Sequence, residues 1–323
     1  MSQENQKKSL HILVIMDPIE QVNYKKDTSL AMMWAAQDRG HTLGYCQIHD
    51  LWLDRGQLMA DTQPVTVKRD PADFYSLGDK ATGAISDYDV VLMRKDPPFN
   101  MDYIYSTYLL ELAEKDGVVV SNRPASLRDV NEKLYTAWFP ELCTPTLVTT
   151  QSDRVRAFLA EHQDIIVKPL DGMGGESIFR ITAADPNISV ILETMTLRNQ
   201  RQIMAQRYIP AITEGDKRVL VVNGEPMPYT LARMPAAGET RGNLAAGGTG
   251  VPTELLDHER KMIETLTPQL LAKDLLFVGV DIIGDYITEI NVTSPTCIRE
   301  IDAHANLDIP GRYLNALEAK LRH

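Results

Sequence analysis

The stretch Ile165-Ile166-Val167-Lys168-Pro169-Leu170-Asp171-Gly172-Met173-Gly174-Gly175-Glu176-Ser177-Ile178-Phe179 sets one lysine and three glycines between two apolar runs short enough to be strands. Glycines, lacking Cβ, let backbone N–H groups turn toward a phosphate and let the chain approach it closely, while Lys168 adds a mobile positive charge. The loop reads as a phosphate flap. Taken alone, the same pattern is also the ordinary use of glycine in a hairpin turn. No G-x-x-x-x-G-K-[ST] and no strand-to-helix G-x-G-x-x-G occurs, so a nucleotide bound here needs a fold that is neither Walker-type nor Rossmann-type.

Upstream, Pro145 to Thr149 reads as a strand, and Ser152 caps a helix over Asp153 to His162 that leads into the strand Asp164 to Lys168. With the return strand Ser177 to Ile181 this makes a small α+β unit. Ser126 to Phe139, carrying Asn131-Glu132-Lys133, reads as a helix stopped by Pro140. Further back, the apolar runs Leu10 to Met16, Thr42 to Ile48, Asp89 to Met93 and Val118 to Ser121 alternate with helical patterns at Thr28 to Arg39 and Asp102 to Asp116. The first 125 or so residues therefore predict a parallel α/β domain. Ligands of such sheets sit beyond the carboxyl ends of the strands, where Met16-Asp17-Pro18 and Met93-Arg94-Lys95-Asp96-Pro97-Pro98 fall. Asp17, Arg94 and Lys95 are thus candidate substrate contacts, and equally residues of a solvated strand end.

Downstream come a helical stretch at Ile188 to Arg198 and strands at Gln202 to Ile209, Lys217 to Val222 and Tyr229 to Met234, the last two joined at Asn223-Gly224. Pro235 to Pro252 is rich in Gly and Ala, carries Arg241, and is too long for an ordinary turn, which suggests an active-site lid. Thr253 to Lys273 reads as a helix, Phe277 to Ile283 and Tyr286 to Val292 as a hairpin turning at Gly284-Asp285, and two further helices follow from Ser294 and Pro310.

That hairpin carries the chemistry. Glu289 and Asn291 lie two apart and so share a face, and Asp281 on the partner strand can stand opposite them. Two carboxylates and an amide oxygen are the hard ligands that Mg²⁺ prefers beside ATP phosphates. The bland alternative is a carboxylate pair at a sheet edge held by Arg299. Lys133, Lys168, Arg218, Arg233 and Arg241 supply local positive charge for a triphosphate and a developing acyl phosphate.

Composition narrows the function classes. A chain of 323 residues with ordinary apolar and charged fractions can build two or three domains around real cores. The net charge of −11 argues against a DNA or RNA partner, which needs a basic surface, and any basic site must be local. The three cysteines, Cys46, Cys143 and Cys297, form no zinc pattern and fit a reducing cytoplasm. The run Leu10 to Met16 is too short for a signal peptide and ends at Asp17-Pro18 without a cleavage site, and no run approaches the length of a membrane span.

These motifs resemble the prokaryotic glutathione synthetase family of ATP-grasp ligases. The resemblance rests on Lys133, the Lys168-to-Gly175 loop, Gln206-Arg-Tyr-Ile-Pro, Gly215-Asp-Lys-Arg, Leu231-Ala-Arg, Glu239-Thr-Arg-Gly-Asn-Leu-Ala-Ala-Gly-Gly and Thr288-Glu-Ile-Asn-Val-Thr-Ser-Pro-Thr. It extends to Met16-Asp-Pro-Ile and Met93-Arg-Lys-Asp-Pro-Pro-Phe, and no nucleotide or metal position departs from it.

The resemblance implies an N-terminal α/β substrate-binding domain over 1–128, an ATP-grasp small subdomain with the glycine flap over 129–205, and a C-terminal domain over 206–323. The last holds the antiparallel sheet, the metal site and a lid at 236–252. It further implies that Lys133, Lys168 and the flap glycines Gly172, Gly174 and Gly175 hold the ATP phosphates. Gln206, Tyr208 and Ile209 would meet adenine, and Asp216 the ribose or its neighbourhood. Asp281, Glu289 and Asn291 would hold Mg²⁺, or Mn²⁺. Arg218 and Arg233 would sit on the transferred phosphoryl and the substrate carboxylate, with Arg241 on the lid and Ser294 and Thr296 at the substrate.

The implied reaction is ATP-dependent joining of γ-glutamylcysteine to glycine through an acyl phosphate, in a cytoplasmic homotetramer or homodimer with no nucleic-acid or membrane partner. Another ATP-grasp ligase with a different acid and amine, a nucleotide-binding sensor without turnover, and a structural subunit remain as rival readings.

Overall fold

The computed structural model describes residues 9–236, 238, 242 and 247–322. The first third holds β1 (His11–Ile15), α1 (Thr28–Asp38), β2 (Thr42–Cys46), β3 (Leu51–Asp54), β4 (Gln57–Val67), β5 (Tyr75–Leu77), β6 (Ala81–Ala84), β7 (Val90–Met93), α2 (Met101–Lys115), β8 (Val119–Ser121) and α3 (Pro124–Asp129). Both long helices start where the sequence supplies a cap: Asp27 accepts from the Leu30 N–H at 2.5 Å and Asn100 from the Tyr103 N–H at 3.0 Å. β1 pairs in parallel with β2 and β7, and β7 with β8.

The expected parallel domain is there, with an addition. β4 runs antiparallel to β2, β3, β5 and β6 and so extends the sheet on one side. Its side chains alternate between exposed and buried over most of its length, the pattern of a strand with one wet face.

The middle third holds β9 (Thr146–Thr149), α4 (Ser152–His162), β10 (Asp164–Pro169), β11 (Phe179–Thr182), α5 (Ile188–Met195) and β12 (Ile203–Arg207), with the antiparallel sheet order β11-β10-β12-β9. The helix expected over Ser126 to Phe139 is corrected. α3 ends at Asp129, and only a 3₁₀ turn follows at Leu134–Trp138. Asn131 breaks it: its side-chain oxygen accepts from the N–H groups of Lys133 (3.2 Å) and Leu134 (2.8 Å), and its amide donates to the Leu170 carbonyl (3.0 Å). The turn brings Glu132 and Lys133 under the glycine loop.

The last third holds β13 (Asp216–Val222), β14 (Glu225–Pro226), β15 (Tyr229–Met234), β16 (Thr249–Glu254), α6 (Asp257–Ala272), β17 (Phe277–Ile283), β18 (Tyr286–Asn291), α7 (Ile298–Ala305) and α8 (Ile309–Lys320). Its antiparallel sheet runs β16-β15-β13-β17-β18, with β14 on β13.

Two boundaries here are also corrected. The helix expected from Thr253 begins at Asp257, because Thr249–Glu254 pairs with β15, and Glu259 then caps the helix through the Leu256 N–H. The helix expected from Ser294 begins at Ile298, leaving Ser294 to Cys297 as loop. Residues 237, 239–241 and 243–246 of the lid assigned to 236–252 lie outside the described residues, and its end from Thr249 is strand.

The first and last thirds share their cores. Leu13 and Ile15 of β1 cluster with Val219, Val221, Val278 and Val280, while Ile12 and Val14 cluster with Leu220, Val222 and Phe277 and with Ile298 and Leu314. Asn122 ties the same parts by its side chain, donating to the carbonyls of Phe277 and Val292 and accepting from the Phe277 N–H. The middle sheet keeps a separate cluster around Val155, Ile165, Leu192 and Ile203.

Candidate active site

One face of the last sheet carries a row of charges fixed by register. Asp216 stands opposite Arg233, Arg218 opposite Asp281, and Asp281 opposite Glu289. Residues two apart share a face, so Asp216 and Arg218 on β13 and Glu289 and Asn291 on β18 fall on the same side. Arg218 grips Asp281 through Nε on Oδ1 and Nη2 on Oδ2, the latter at 2.8 Å. Arg233 Nη2 reaches Asp281 Oδ2 at 2.8 Å and Asp216 Oδ2 at 2.5 Å. Asn291 donates to Asp281 Oδ2 at 3.3 Å.

Gly279 makes room for this packing. A Cβ there would lie 2.8 Å from Arg218 Cδ and 3.1 Å from Pro295 Cβ, so the arginine stem crosses the strand only over a glycine. Arg299, the alternative holder of the carboxylates, is elsewhere: it stacks over Trp34 at 4.6 Å and donates to the Tyr24 carbonyl.

Burial would raise the pKa of Asp281, but Arg218 and Arg233 overcome it and bring it down to about 2. Asp216 behaves oppositely. Burial dominates, Arg233 offsets it only in part, and the carboxyl is pushed up to about 6. Among the described residues Asp216 Oδ1 also has no hydrogen-bond partner, although it is buried.

Lys168 crosses from the middle sheet to this face. The ladder slips between Asp281 and Ile282, leaving Thr288 out of the cross-strand pairing, and Lys168 Nζ donates to the Thr288 carbonyl at 3.2 Å. Burial lowers the Lys168 pKa, with Glu289 opposing, which leaves the ammonium in want of an anion. Lys133 Nζ donates to the Gly172 carbonyl at 2.9 Å, pairs with Glu132, and lies 3.8 Å from Glu289 Oε1. Gly172, Gly174 and Gly175 all have positive φ, which bends the loop back over these cations.

Three cavities adjoin. One is lined by Lys168, Gln206, Tyr208, Ile209, Asp216 and Glu289. The next, sharing Glu289 with it, is lined by Lys133, the flap glycines, Arg218, Arg233, Asn291, Ser294 and Thr296. The third, sharing Thr296, Asp96 and Met173 with the second, is lined by Asp17 and Arg94. Lys95 stands behind it, paired with Asp17 at 2.8 Å, and Arg94 binds Ser29 Oγ at 3.0 Å and the Pro295 carbonyl at 2.9 Å. Most of the site residues expected from sequence thus gather along one crevice; Asp281 is buried behind Arg218 and Arg233, Lys95 stands behind Asp17, and Arg241 lies outside the described residues. Glu132, Gly279 and Asp96 were not anticipated. Glu132 adjoins a lysine already singled out, and Gly279 stands two residues from Asp281 on the same face, which is a signal the sequence offers.

The oxygen-only set Asp281, Glu289 and Asn291 suits a hard divalent cation. Among the described residues no group of three or more His, Cys, Asp and Glu is placed to hold a metal.

Comparison with known proteins agrees in extent. The family described as "Prokaryotic glutathione synthetase, N-terminal domain" matches residues 10–128, and "Prokaryotic glutathione synthetase, ATP-grasp domain" matches 132–306. The glutathione synthetase of Pseudomonas putida is 56% identical over 97% of this chain and 99% of its own length, and that of Vibrio cholerae 55% over 96% and 97%. Among solved structures, D-cycloserine synthetase DcsG superposes with a TM-score of 0.68 at 16% identity, covering 96% of this chain and 99% of that one. D-alanyl-alanine synthetase A of Vibrio cholerae superposes at 0.59 and 14%, covering 98% and 99%. At such identity these structures speak for the fold alone.

Proposed function

The chain belongs to the prokaryotic glutathione synthetase family, and from that premise we propose how its residues divide the work of an ATP-dependent carboxylate–amine ligase. The reaction joins γ-glutamylcysteine and glycine into glutathione, with release of ADP and phosphate. The observation that carries this reading is the crevice shared by Lys168 and Glu289, continuous with the arginine pair and with the first-third loops.

A carboxylate is inert to amines until it is activated, and its approach to a triphosphate sets anion against anion. Lys168, buried and short of an anion, and Lys133, under the flap, are assigned to the ATP phosphates. The flap glycines close over them. Gln206, Tyr208 and Ile209 are assigned to adenine, and the Asp216 oxygen that lacks a partner among the described residues supports a place beside a ribose hydroxyl. Asp281, Glu289 and Asn291 would hold Mg²⁺, or Mn²⁺, and when bound the cation screens phosphate charge. Arg218 and Arg233, fixed by Asp281, offer pre-aligned donors to the cysteinyl carboxylate, the transferred phosphoryl group and the oxyanion formed when glycine attacks. Asp17, Arg94, Lys95, Ser294 and Thr296 are assigned to the peptide substrate. Arg241 and the lid at 236–252 are assigned to water exclusion, since an acyl phosphate hydrolyses when water reaches it.

The division into 1–128, 129–205 and 206–323, a homotetrameric or homodimeric assembly and a cytoplasmic location belong to the same proposal. No described helix is long and apolar enough to cross a membrane. ADP release with γ-glutamylcysteine, with glycine present or omitted, tests the reading. Sustained release only with both substrates is expected, and turnover on an unrelated acid and amine with none on this pair overturns it.

A further inference from the structure

Glu132 lies beside the phosphate-assigned cations and has no part in the ligase roles proposed for them. Its carbonyl accepts from the Ile290 N–H at 2.8 Å, which stitches it to β18 between Glu289 and Asn291. Its carboxylate pairs with Lys133 Nζ and lines the same cavity as the flap glycines and Glu289. An ammonium has three donors. Here they face Glu132, the Gly172 carbonyl at 2.9 Å and, further off, Glu289 Oε1 at 3.8 Å. A phosphate reaching Lys133 must therefore take it from Glu132 or from the flap. Since Lys133 and Glu132 are each largely buried, at 4% and 20% side-chain exposure, the freed carboxylate stays in the cavity as an anion facing an anion.

We propose that Glu132 is a positioning residue that holds Lys133 as its counter-ion and, by its charge, admits nucleotide polyphosphate only together with a divalent cation. Glu132 keeps the ammonium under the flap. As nucleotide enters, Lys133 moves from carboxylate to phosphate, and the charge left on Glu132 adds to that of Glu289. Metal-free nucleotide meets both. A metal–nucleotide complex brings its own compensating charge, so the carboxylates penalise the free nucleotide selectively. This rests on the assignment of Lys133 to the phosphates.

The test is the ratio of ADP affinities with Mg²⁺ and with EDTA, measured by calorimetry on the full chain, for wild type, Glu132→Gln and Glu132→Asp. Glu132→Gln keeps the shape and an acceptor for Lys133 but removes the charge; it should lower the ratio by about tenfold, mainly by tightening metal-free binding. Glu132→Asp keeps the charge and should keep the wild-type ratio even if both affinities weaken. A Glu132→Gln ratio equal to wild type, or an equal loss of ratio in both variants, overturns the proposal. Wild type that binds no ADP overturns the nucleotide assignment itself, so the two failures are distinguishable.

Discussion

Arg233 Nη2 lies 2.8 Å from Asp281 Oδ2 and also bonds Asp216, so one guanidinium group serves two carboxylates on adjacent strands. Such a group is held by the protein's own carboxylates, which is the condition under which charge stabilisation costs no reorganisation. Arg233→Ala should lower kcat by about 100-fold or more while changing nucleotide Kd less than about fivefold. Steady-state ADP release and calorimetry check this. Undiminished turnover would remove Arg233 from the chemistry.

Glu289→Gln replaces a charged oxygen donor by a neutral one at the edge of the crevice. The Mg²⁺ concentration that half-saturates turnover should rise about tenfold or more. A metal titration of the purified variant reads it, and an unchanged midpoint would count against Glu289 as a ligand.

Gly279→Ala would set a methyl group 2.8 Å from Arg218 Cδ. The strand is packed on both faces, so the arginine stem must yield and its two-point grip on Asp281 loosens. Turnover should fall about tenfold. A normal far-ultraviolet circular dichroism spectrum would show that the sheet survives, and wild-type kcat would mean that the Arg218 grip is dispensable.

Asp302, on α7 and outside the lining of the three cavities, gives a prediction in pH. Burial pushes its pKa up to about 6 from the usual 3.8, against hydrogen bonds from the Ile309 N–H at 3.1 and 3.3 Å. The folded state thus binds the proton more tightly than the unfolded chain. Its stabilising effect is complete below about 3.8 and lost as pH rises through about 6. Because the side chain is only half-buried, solvent screening reduces the effect to about 1 kcal/mol. Asp302→Asn should remove that decline, so the variant's Tm rises relative to wild type from pH 4 to pH 7 by about 2 °C. A Tm difference independent of pH would refute it.

How far the site could be read from sequence depends on how local each cause is. Glu289 and Asn291 share a face by spacing alone, and the short hairpin at Gly284-Asp285 leaves Asp281 little choice of partner; both are seen. The ladder slip that frees the Thr288 carbonyl for Lys168, a residue 120 positions away on another sheet, leaves no mark on the hairpin's own sequence. The false helix over Ser126 to Phe139 had the right periodicity, but Asn131 caps a turn and ties it to Leu170, a residue 39 positions away. Likewise Thr249–Glu254 has little strand character beyond two threonines and a valine, and becomes strand because β15 offers an edge. Arg299 was a reasonable partner for the carboxylates by charge, yet α7 begins late enough to turn it toward Trp34.

The shared cores of the first and last thirds bear on how the chain matures. Ile12 to Ile15 leave the ribosome early, yet Val278, Val280 and Leu314, which cover them, follow more than two hundred residues later. At roughly 5–20 residues per second that is an interval of about 10–50 seconds in which a nascent sheet offers apolar surface to its surroundings. Synthesis of this enzyme should therefore lean on holdase chaperones far more than its modest size suggests. Splitting the gene near the middle sheet should yield two insoluble halves that recover solubility only when co-expressed.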